Sequence, residues 1–249
     1  MYNKSCVYAF IFETIISCDN TIKPGTNRAS HPFAFSECTK QSFTINLFGK
    51  GCDYLPYIYA AFYRAGKNGL FKERIPFEIS DIRINDKSVL IDEGNINMDI
   101  HPIEWKFDFG LDESSDTKSE KEMLVELKTP LRFKSNGKYS TEFSAQDFMQ
   151  CLFRRVKTLC SLYGDFTDVP FYDSKSIEFE IVDKNIVWKD CEHYSSRQKR
   201  AMQLGGVTGS FKMKGKFSTF DLALLDFARI FNAGKNPNFG LGQIDFWNK

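Results

Sequence analysis

The stretch that decides the fold runs from Val207 to Phe231 and reads VTGSFKMKGKFSTFDLALLDFARIF. Its first part, through Met213, is rich in the residues that favour a strand. Ser218 and Asp221 follow at the spacing of a capping box, and the apolar residues after them recur at helical intervals. The stretch therefore predicts a strand that leads directly into a helix with one buried face.

The residues on either side of this stretch complete a longer pattern. Ser144 and Asp147 form a second capping box, which opens a helix that stops at Gly164. Three further strands are predicted at Leu124–Leu127, Ile177–Val182 and Gln243–Trp247. Together the elements follow the order β-α-β-β-α-β, which is typical of a ferredoxin-like α+β domain.

The first half of the chain gives a looser pattern. The opening apolar stretch around Tyr8 and Phe12 alternates with other apolar residues and is interrupted by Glu13, so it is interpreted as a buried strand rather than a leader. A strand at Phe43–Phe48 follows, and Asp53 is expected to cap a helix that ends at Gly66.

The sequence then predicts a strand pair and a linker. The pair is formed by residues 75–84 and 88–91, and the linker by the polar residues 112–122. No apolar run approaches the length that a membrane span requires. Seven cysteines form no C-x-x-C pair, and their odd number suits a reducing, cytoplasmic setting better than a disulfide framework. The sequence shows no pattern of ligands typical of a zinc site.

Charge is unevenly distributed along the 249 residues. The net charge is only +1, yet residues 128–160 and 187–216 each hold seven Lys or Arg against two acids. Such concentrations fit a nucleic-acid partner, because phosphate contacts need basic side chains. The alternative is that they are ordinary solvated faces of helices and strands.

The basic residues of the second half are interleaved with glycines in a fixed order. A Tyr-Ser-x-Arg-Gln segment at Tyr194–Gln198 precedes Gly205–Gly209, and Gly234-Lys235 precedes Phe239–Gly242. This order resembles the Cas6-type CRISPR-associated endoribonucleases of the RAMP superfamily, which process precursor RNA. Further similarities are Thr129-Pro130-Leu131, the pair Arg154-Arg155, and His31-Pro32-Phe33 near the start.

The resemblance implies two tandem ferredoxin-like (RRM-like) domains with antiparallel sheets, at residues 1–122 and 123–249, with a glycine-rich loop near the C-terminus. It implies a CRISPR repeat RNA as partner, other subunits of a CRISPR effector complex as further partners, and a monomer or homodimer without a cofactor or metal. The implied reaction is attack by a ribose 2′-hydroxyl on its own phosphodiester, which leaves a 2′,3′-cyclic phosphate and a 5′-hydroxyl. The alternative is a RAMP-type subunit that binds guide RNA without cutting it.

Three residues are candidates for the chemistry. His193 lies in the most basic segment, where positive charge favours the neutral form that a base requires. Tyr194 and Lys235 are the candidates for proton donation and for stabilising charge. His193 could instead pack or touch a phosphate, and Lys235 could interact with a helix dipole. Asn232 stands where many relatives carry histidine, while His31 and His101, each followed by proline, are weaker candidates.

A larger set is predicted to contact RNA. Lys212, Lys214 and Lys216 share one strand face, which suggests a basic strip, although solvent exposure alone would also explain charged helix and strand positions. The predicted contact residues are Lys128, Arg132, Arg154, Arg155, Arg197, Lys199, Arg200, Lys212, Lys214, Gly234, Gly240 and Gly242. The last two glycines could equally form a tight turn into the final strand.

Overall fold

The computed structural model describes residues 6–13, 30–84, 86–92, 95–97, 99, 103, 118–164, 171–195 and 199–248. The helices are α1 (Leu55–Asn68), α2 (Ala145–Tyr163) and α3 (Thr219–Phe231). The strands are β1 (Phe33–Ser36), β2 (Thr44–Leu47), β3 (Arg83–Ile84), β4 (Lys87–Ser88), β5 (Leu90–Asp92), β6 (Asn95–Ile96), β7 (Ser119–Leu131), β8 (Glu178–Lys189), β9 (Glu192–Ser195), β10 (Arg200–Gln203), β11 (Gly206–Phe217) and β12 (Ile244–Asn248).

The second half forms a four-stranded antiparallel sheet in the order β12-β7-β11-β8. Helices α2 and α3 follow β7 and β11, so the predicted β-α-β-β-α-β order is confirmed. One hairpin, β9–β10, is inserted between β8 and β11. The apolar side chains of the strands pack with the two helices into one core, in which Phe148, Phe211 and Phe217 are fully buried.

Both predicted capping boxes are present. Ser144 accepts a hydrogen bond from the backbone of Asp147, and Ser218 accepts one from Asp221. Asp221 is buried and also accepts a hydrogen bond from the Tyr172 hydroxyl at 2.6 Å. Each box satisfies amides that the first turn of a helix leaves without partners. This local chemistry explains why both helices could be located from the sequence.

The strands are longer than predicted. β7 begins at Ser119, so the last residues of the predicted linker 112–122 belong to the sheet, while residues 112–117 lie outside the described residues. β8 continues to Lys189 and β11 to Phe217. Because one face of the sheet is open to solvent, charged residues alternate with apolar ones, and a search for apolar runs ends each strand too early.

The first half differs more from its prediction. The opening segment is a short helix of the π type at Ala9–Glu13 rather than a strand. The amide of Phe10 donates to the carbonyl of Cys6, and the rings of Tyr8 and Phe12, one helical turn apart, lie 5.3 Å from each other. An apolar run on its own does not distinguish a short helix from a strand, which explains the error.

Helix α1 and the segment after it also depart from the prediction. A 3₁₀ turn at Gly49–Tyr54 precedes α1, so Asp53 is not its cap, and α1 continues past Gly66 to Asn68. The predicted strand at residues 75–84 is reduced to β3, which pairs with β4, and β5 pairs with β6. None of the helices within the described ranges is long and apolar enough to cross a membrane.

Candidate nucleic-acid interface

The glycine-rich loop, residues 233–243, connects α3 to β12 and lies against the end of β7. The amide of Lys235 donates to the Arg132 carbonyl at 2.9 Å, and that of Gly242 donates to the Pro130 carbonyl at 3.1 Å. Gly242 has a φ of +74°, and a Cβ there would lie 1.8 Å from the Ala233 carbonyl oxygen. Only glycine fits this position without movement of the backbone.

The three loop glycines predicted to contact RNA have amides that are already used within the protein. The amide of Gly240 donates to the Pro237 carbonyl, and that of Gly242 to Pro130, while the amide of Gly234 lies against the Cys151 thiol. Gly240 and Gly242 are also buried. The prediction that their amides meet phosphate is therefore corrected, since these glycines shape the loop instead.

Three cations surround the side chain of Tyr139, beside the glycine-rich loop. The Nζ of Lys235 donates to the Tyr139 hydroxyl at 2.6 Å. The Arg132 guanidinium lies 4.3 Å from the centre of the ring, and the Nζ atoms of Lys235 and Lys134 lie 5.3 and 5.6 Å from it. These four residues are called the Tyr139 cluster. Within the part of the chain that the structure describes, none of its cations forms an ion pair.

The cluster is held in place by the backbone around it. The Nη1 of Arg132 donates to the carbonyls of Gln203 at 2.6 Å and Gly205 at 3.2 Å, which ties the β9–β10 hairpin to the end of β7. Partial burial raises the pKa of the Tyr139 hydroxyl, but the hydrogen bonds and charges of Lys235 and Arg132 outweigh that effect and leave the pKa below its usual value. Sequence patterns did not single out Tyr139.

His193 lies on the β9–β10 hairpin and faces the same loop. Its ring centre lies 5.0 Å from that of Phe239, between Gly234 and Gly240. Arg200 pairs with Ser195, two residues from His193, so Arg200 and His193 are on one face of the hairpin. The structure thus places His193 against Phe239 of the loop, with Arg200 on the same face of the hairpin.

Tyr194 is on the opposite face of the hairpin. It pairs with Ala201, and 63% of its side chain is exposed. Because successive side chains of a strand alternate between faces, Tyr194 does not converge with His193 on the loop. Lys199 lies exposed in the hairpin turn with a φ of +49°, and the predicted contact Arg197 lies outside the described residues.

The predicted basic strip on β11 is compensated by its neighbours. The three lysines share the open face of the sheet with carboxylates that the register places beside them on β7 and β8. These carboxylates are Glu120, Glu122, Glu126, Glu178, Glu180 and Asp183. Lys212 forms an ion pair with Asp183 at 2.8 Å, and Lys216 lies 3.9 Å from Glu178. The interpretation as a continuous basic strip is therefore wrong.

Two other predicted RNA contacts have partners within the protein. Lys128 forms an ion pair with Asp245 at 2.8 Å. Arg155 is 5% exposed, and its guanidinium donates twice to the Phe231 carbonyl at the end of α3. Burial lowers the pKa of Arg155 to about 10. Arg155 is thus a structural residue and is not accessible to RNA, whereas its neighbour Arg154 is exposed.

Asn232 has a structural position. It is fully buried, and its Nδ2 donates to the carbonyl of Phe35 at 2.9 Å and that of Leu241 at 3.3 Å. It therefore joins β1 to the glycine-rich loop rather than facing a ligand. His31 lies near β1, where its Nδ1 is 2.9 Å from the Ile11 carbonyl, and His101 lies outside the described residues. No metal-binding group of three His, Cys, Asp or Glu occurs among the described residues.

Comparison with known proteins identifies the class of protein. Residues 125–244, which contain most of β7, all of β8 to β11, helices α2 and α3 and the glycine-rich loop, match the family model of the CRISPR-associated endoribonuclease Cas6. Residues 1–102 match a second family model, described as an N-terminal domain. The second half of the chain therefore belongs to the Cas6 family of CRISPR-associated endoribonucleases.

Solved structures of Cas6 proteins resemble this chain at low sequence identity. A Cas6 product complex shares 12% identity over 87% of this chain and 82% of its own, with a TM-score of 0.49. A second Cas6 product complex shares 12% identity over 88% and 83% of the two chains, with a TM-score of 0.44. The match to a partial Cas6-RT-Cas1–Cas2 complex spans 53% of this chain and 23% of the chain in that complex, with 14% identity and a TM-score of 0.37. No curated protein matches the chain.

Proposed function

We propose that this protein binds CRISPR repeat RNA across the Tyr139 cluster and the adjoining face of the β9–β10 hairpin, and cuts it there without a metal. The observation that carries the proposal is the cation cluster beside the glycine-rich loop, whose members have no carboxylate partner among the described residues. Positive charge held close together without compensation favours binding of an anion, and RNA phosphates supply one.

The proposed reaction is an internal transfer at phosphorus. The ribose 2′-hydroxyl attacks the adjacent phosphodiester, leaving a 2′,3′-cyclic phosphate and a 5′-hydroxyl. His193 is the proposed base, because it is the histidine that lies against the glycine-rich loop, on the same hairpin face as Arg200. Lys235 is the proposed residue that stabilises the charge developing on the phosphorus oxygens. Arg200 and Lys199 extend the contact along the hairpin.

The division into domains 1–122 and 123–249 is part of the same proposal. The described elements of the second half complete one ferredoxin-like domain, and the first half would supply a second, related domain. The RNA would lie mainly on the second domain. Asn232 and Asn46 link the halves, because their side chains donate to backbone carbonyls of the opposite half.

Incubation of the purified protein with its repeat RNA in EDTA tests this function. The expected result is cleavage at a single position, with a cyclic phosphate on one product and a 5′-hydroxyl on the other. Loss of cleavage in EDTA with rescue by magnesium, or a 5′-phosphate on the product, contradicts the mechanism. Tight retention of uncut RNA identifies the alternative, a guide-RNA-binding subunit.

A further inference from the structure

The Tyr139 hydroxyl has an arrangement that neither the sequence patterns nor the family model assigns to a role. A lysine ammonium has donors only, so in the 2.6 Å contact Lys235 donates and the phenol oxygen accepts. The hydroxyl proton of Tyr139 therefore points away from Lys235. Within the described ranges of the chain, no carbonyl or carboxylate accepts that proton.

The surroundings of this hydroxyl also suit the loss of its proton. Lys235 reaches it from the glycine-rich loop, and Arg132 and Lys134 reach its ring from the residues that follow β7. A phenolate formed there would be met by cations that are already in position and need no reorganisation. The lowered pKa of Tyr139 agrees with this geometry.

RNA cleavage by a 2′-hydroxyl needs such a donor. As the 2′-oxygen forms its bond to phosphorus, the bond from phosphorus to the 5′-oxygen breaks, and the departing oxygen must gain a proton. The base on the attacking side cannot supply it at the same moment, because in-line attack places the two oxygens on opposite sides of phosphorus. A second group is required beside the leaving oxygen.

We propose that Tyr139 is the general acid of the RNA cleavage reaction and donates its hydroxyl proton to the leaving 5′-oxygen. His193 takes the proton of the 2′-hydroxyl, and the phenolate is held by Lys235 and Arg132 until water returns a proton to it. The reaction as written requires no oxidant, reductant or metal. This assignment rests on the proposed function, since it concerns the same reaction.

The test uses two repeat RNAs in single-turnover reactions at saturating enzyme. One has the natural 5′-oxygen at the cleavage position and the other has sulfur there, which departs without being protonated. Tyr139→Phe should cut the oxygen substrate about 100-fold more slowly than the unaltered protein, but the sulfur substrate at nearly its rate. Tyr57→Phe, an exposed tyrosine on α1, is the matched control and should behave normally on both.

The dependence on pH provides a second readout. A proton donor works while it is protonated, so the rate should fall as pH rises through the pKa of Tyr139. Because Lys235 and Arg132 lower that pKa, the fall should begin below the ordinary value for tyrosine, about 10. The sulfur substrate needs no proton donor, so its rate should show no such decline, and Tyr139→Phe should lack the decline on the oxygen substrate.

The outcomes separate the two proposals. If the unaltered protein cuts RNA and Tyr139→Phe cuts the oxygen substrate equally fast, the assignment of Tyr139 is overturned while the proposed function stands. Equal slowing on both substrates also overturns it, since that result assigns Tyr139 to positioning. If the unaltered protein cuts neither substrate, both proposals are overturned. A melting temperature for each variant identifies any loss that comes from misfolding.

Discussion

The open face of the sheet and the end of the sheet that carries the Tyr139 cluster are both rich in cations, but they differ in what stands beside those cations. On the open face, the lysines of β11 lie between rows of carboxylates from β7 and β8. At the cluster, Arg132, Lys134 and Lys235 surround a tyrosine, without a carboxylate partner in the described part of the chain. A count of charges along the chain does not distinguish the two.

The difference follows from how a sheet brings its residues together. Antiparallel pairing places residues that are far apart in sequence directly beside each other. The net charge of the surface around a strand rich in lysine therefore depends on the charges of the strands paired with it. The glycine-rich loop instead lies against the end of β7, beyond the paired rows of carboxylates on β7 and β8. Positive charge without a carboxylate partner at the end of the sheet is available to a ligand. Substitutions at the Tyr139 cluster and on the open face can test this difference.

The largest expected effect concerns the loop that carries Lys235. Gly242→Ala should lower the free energy of unfolding by about 3 kcal/mol or more, because its φ of +74° disfavours a side chain and the new Cβ would meet the Ala233 carbonyl. Gly137→Ala is the matched control. It also has a positive φ, +80°, but open space around it, and should cost only about 1 kcal/mol.

Denaturant unfolding measures both variants. Equal losses of stability would show that backbone conformation alone sets the cost and that the close approach of Gly242 to Ala233 does not matter. The expected gap between the two isolates the close approach of Gly242 to Ala233. Affinity for repeat RNA should then fall for Gly242→Ala and remain normal for Gly137→Ala, since only the first change displaces the loop.

The next effect is on the chemistry. His193→Ala should slow single-turnover cleavage by about 100-fold or more while leaving RNA affinity nearly unchanged, because a general base acts on the rate and not on binding. The measurement is cleavage at saturating enzyme, together with a direct binding titration. If the rate is normal, or falls only as binding falls, His193 merely packs against Phe239, and Tyr194→Phe and Lys235→Ala become the next tests.

Local signals in the sequence predicted the helices of the second half and failed where long-range pairing decides. Ser144 and Ser218 indicate the starts of helices in the sequence because their capping partners are only three residues away. Arg155 looked accessible, but the bonds that bury it lead to Phe231, on another helix. No sequence pattern indicates contacts of that kind.

The same reasoning explains which parts of the candidate site could be found. His193 and Lys235 stood out because they lie in motifs, whereas Tyr139 gains its importance from Lys235, 96 residues later in the chain. Its one local signal was its place in a basic segment that follows a strand. The glycines of the loop were predicted to contact RNA, whereas the packing of the loop shows that Gly240 and Gly242 use their amides within the protein.

A smaller effect is expected at the cluster when one cation is removed. Lys235→Ala should weaken binding of repeat RNA roughly fivefold and reduce the dependence of affinity on salt concentration, because one fewer counterion is released. Binding titrations at several salt concentrations measure both quantities. An unchanged slope would mean that Lys235 does not contact phosphate and that its charge serves Tyr139 alone.

The smallest effect is expected on the open face, and it is the sharpest test of the comparison. The double change Lys212→Ala with Lys214→Ala removes two positive charges, as many as changing Lys235 and Lys134 would. If the face is compensated, the double variant should bind repeat RNA within about twofold of the unaltered protein, with the same salt dependence. Lys212 is already paired with Asp183, and Lys214 lies between Glu122 and Glu180. A clear loss of affinity, with a weaker dependence of affinity on salt concentration, would show that RNA crosses the open face of the sheet despite its carboxylates. The proposed binding surface would then be the open face rather than the end of the sheet.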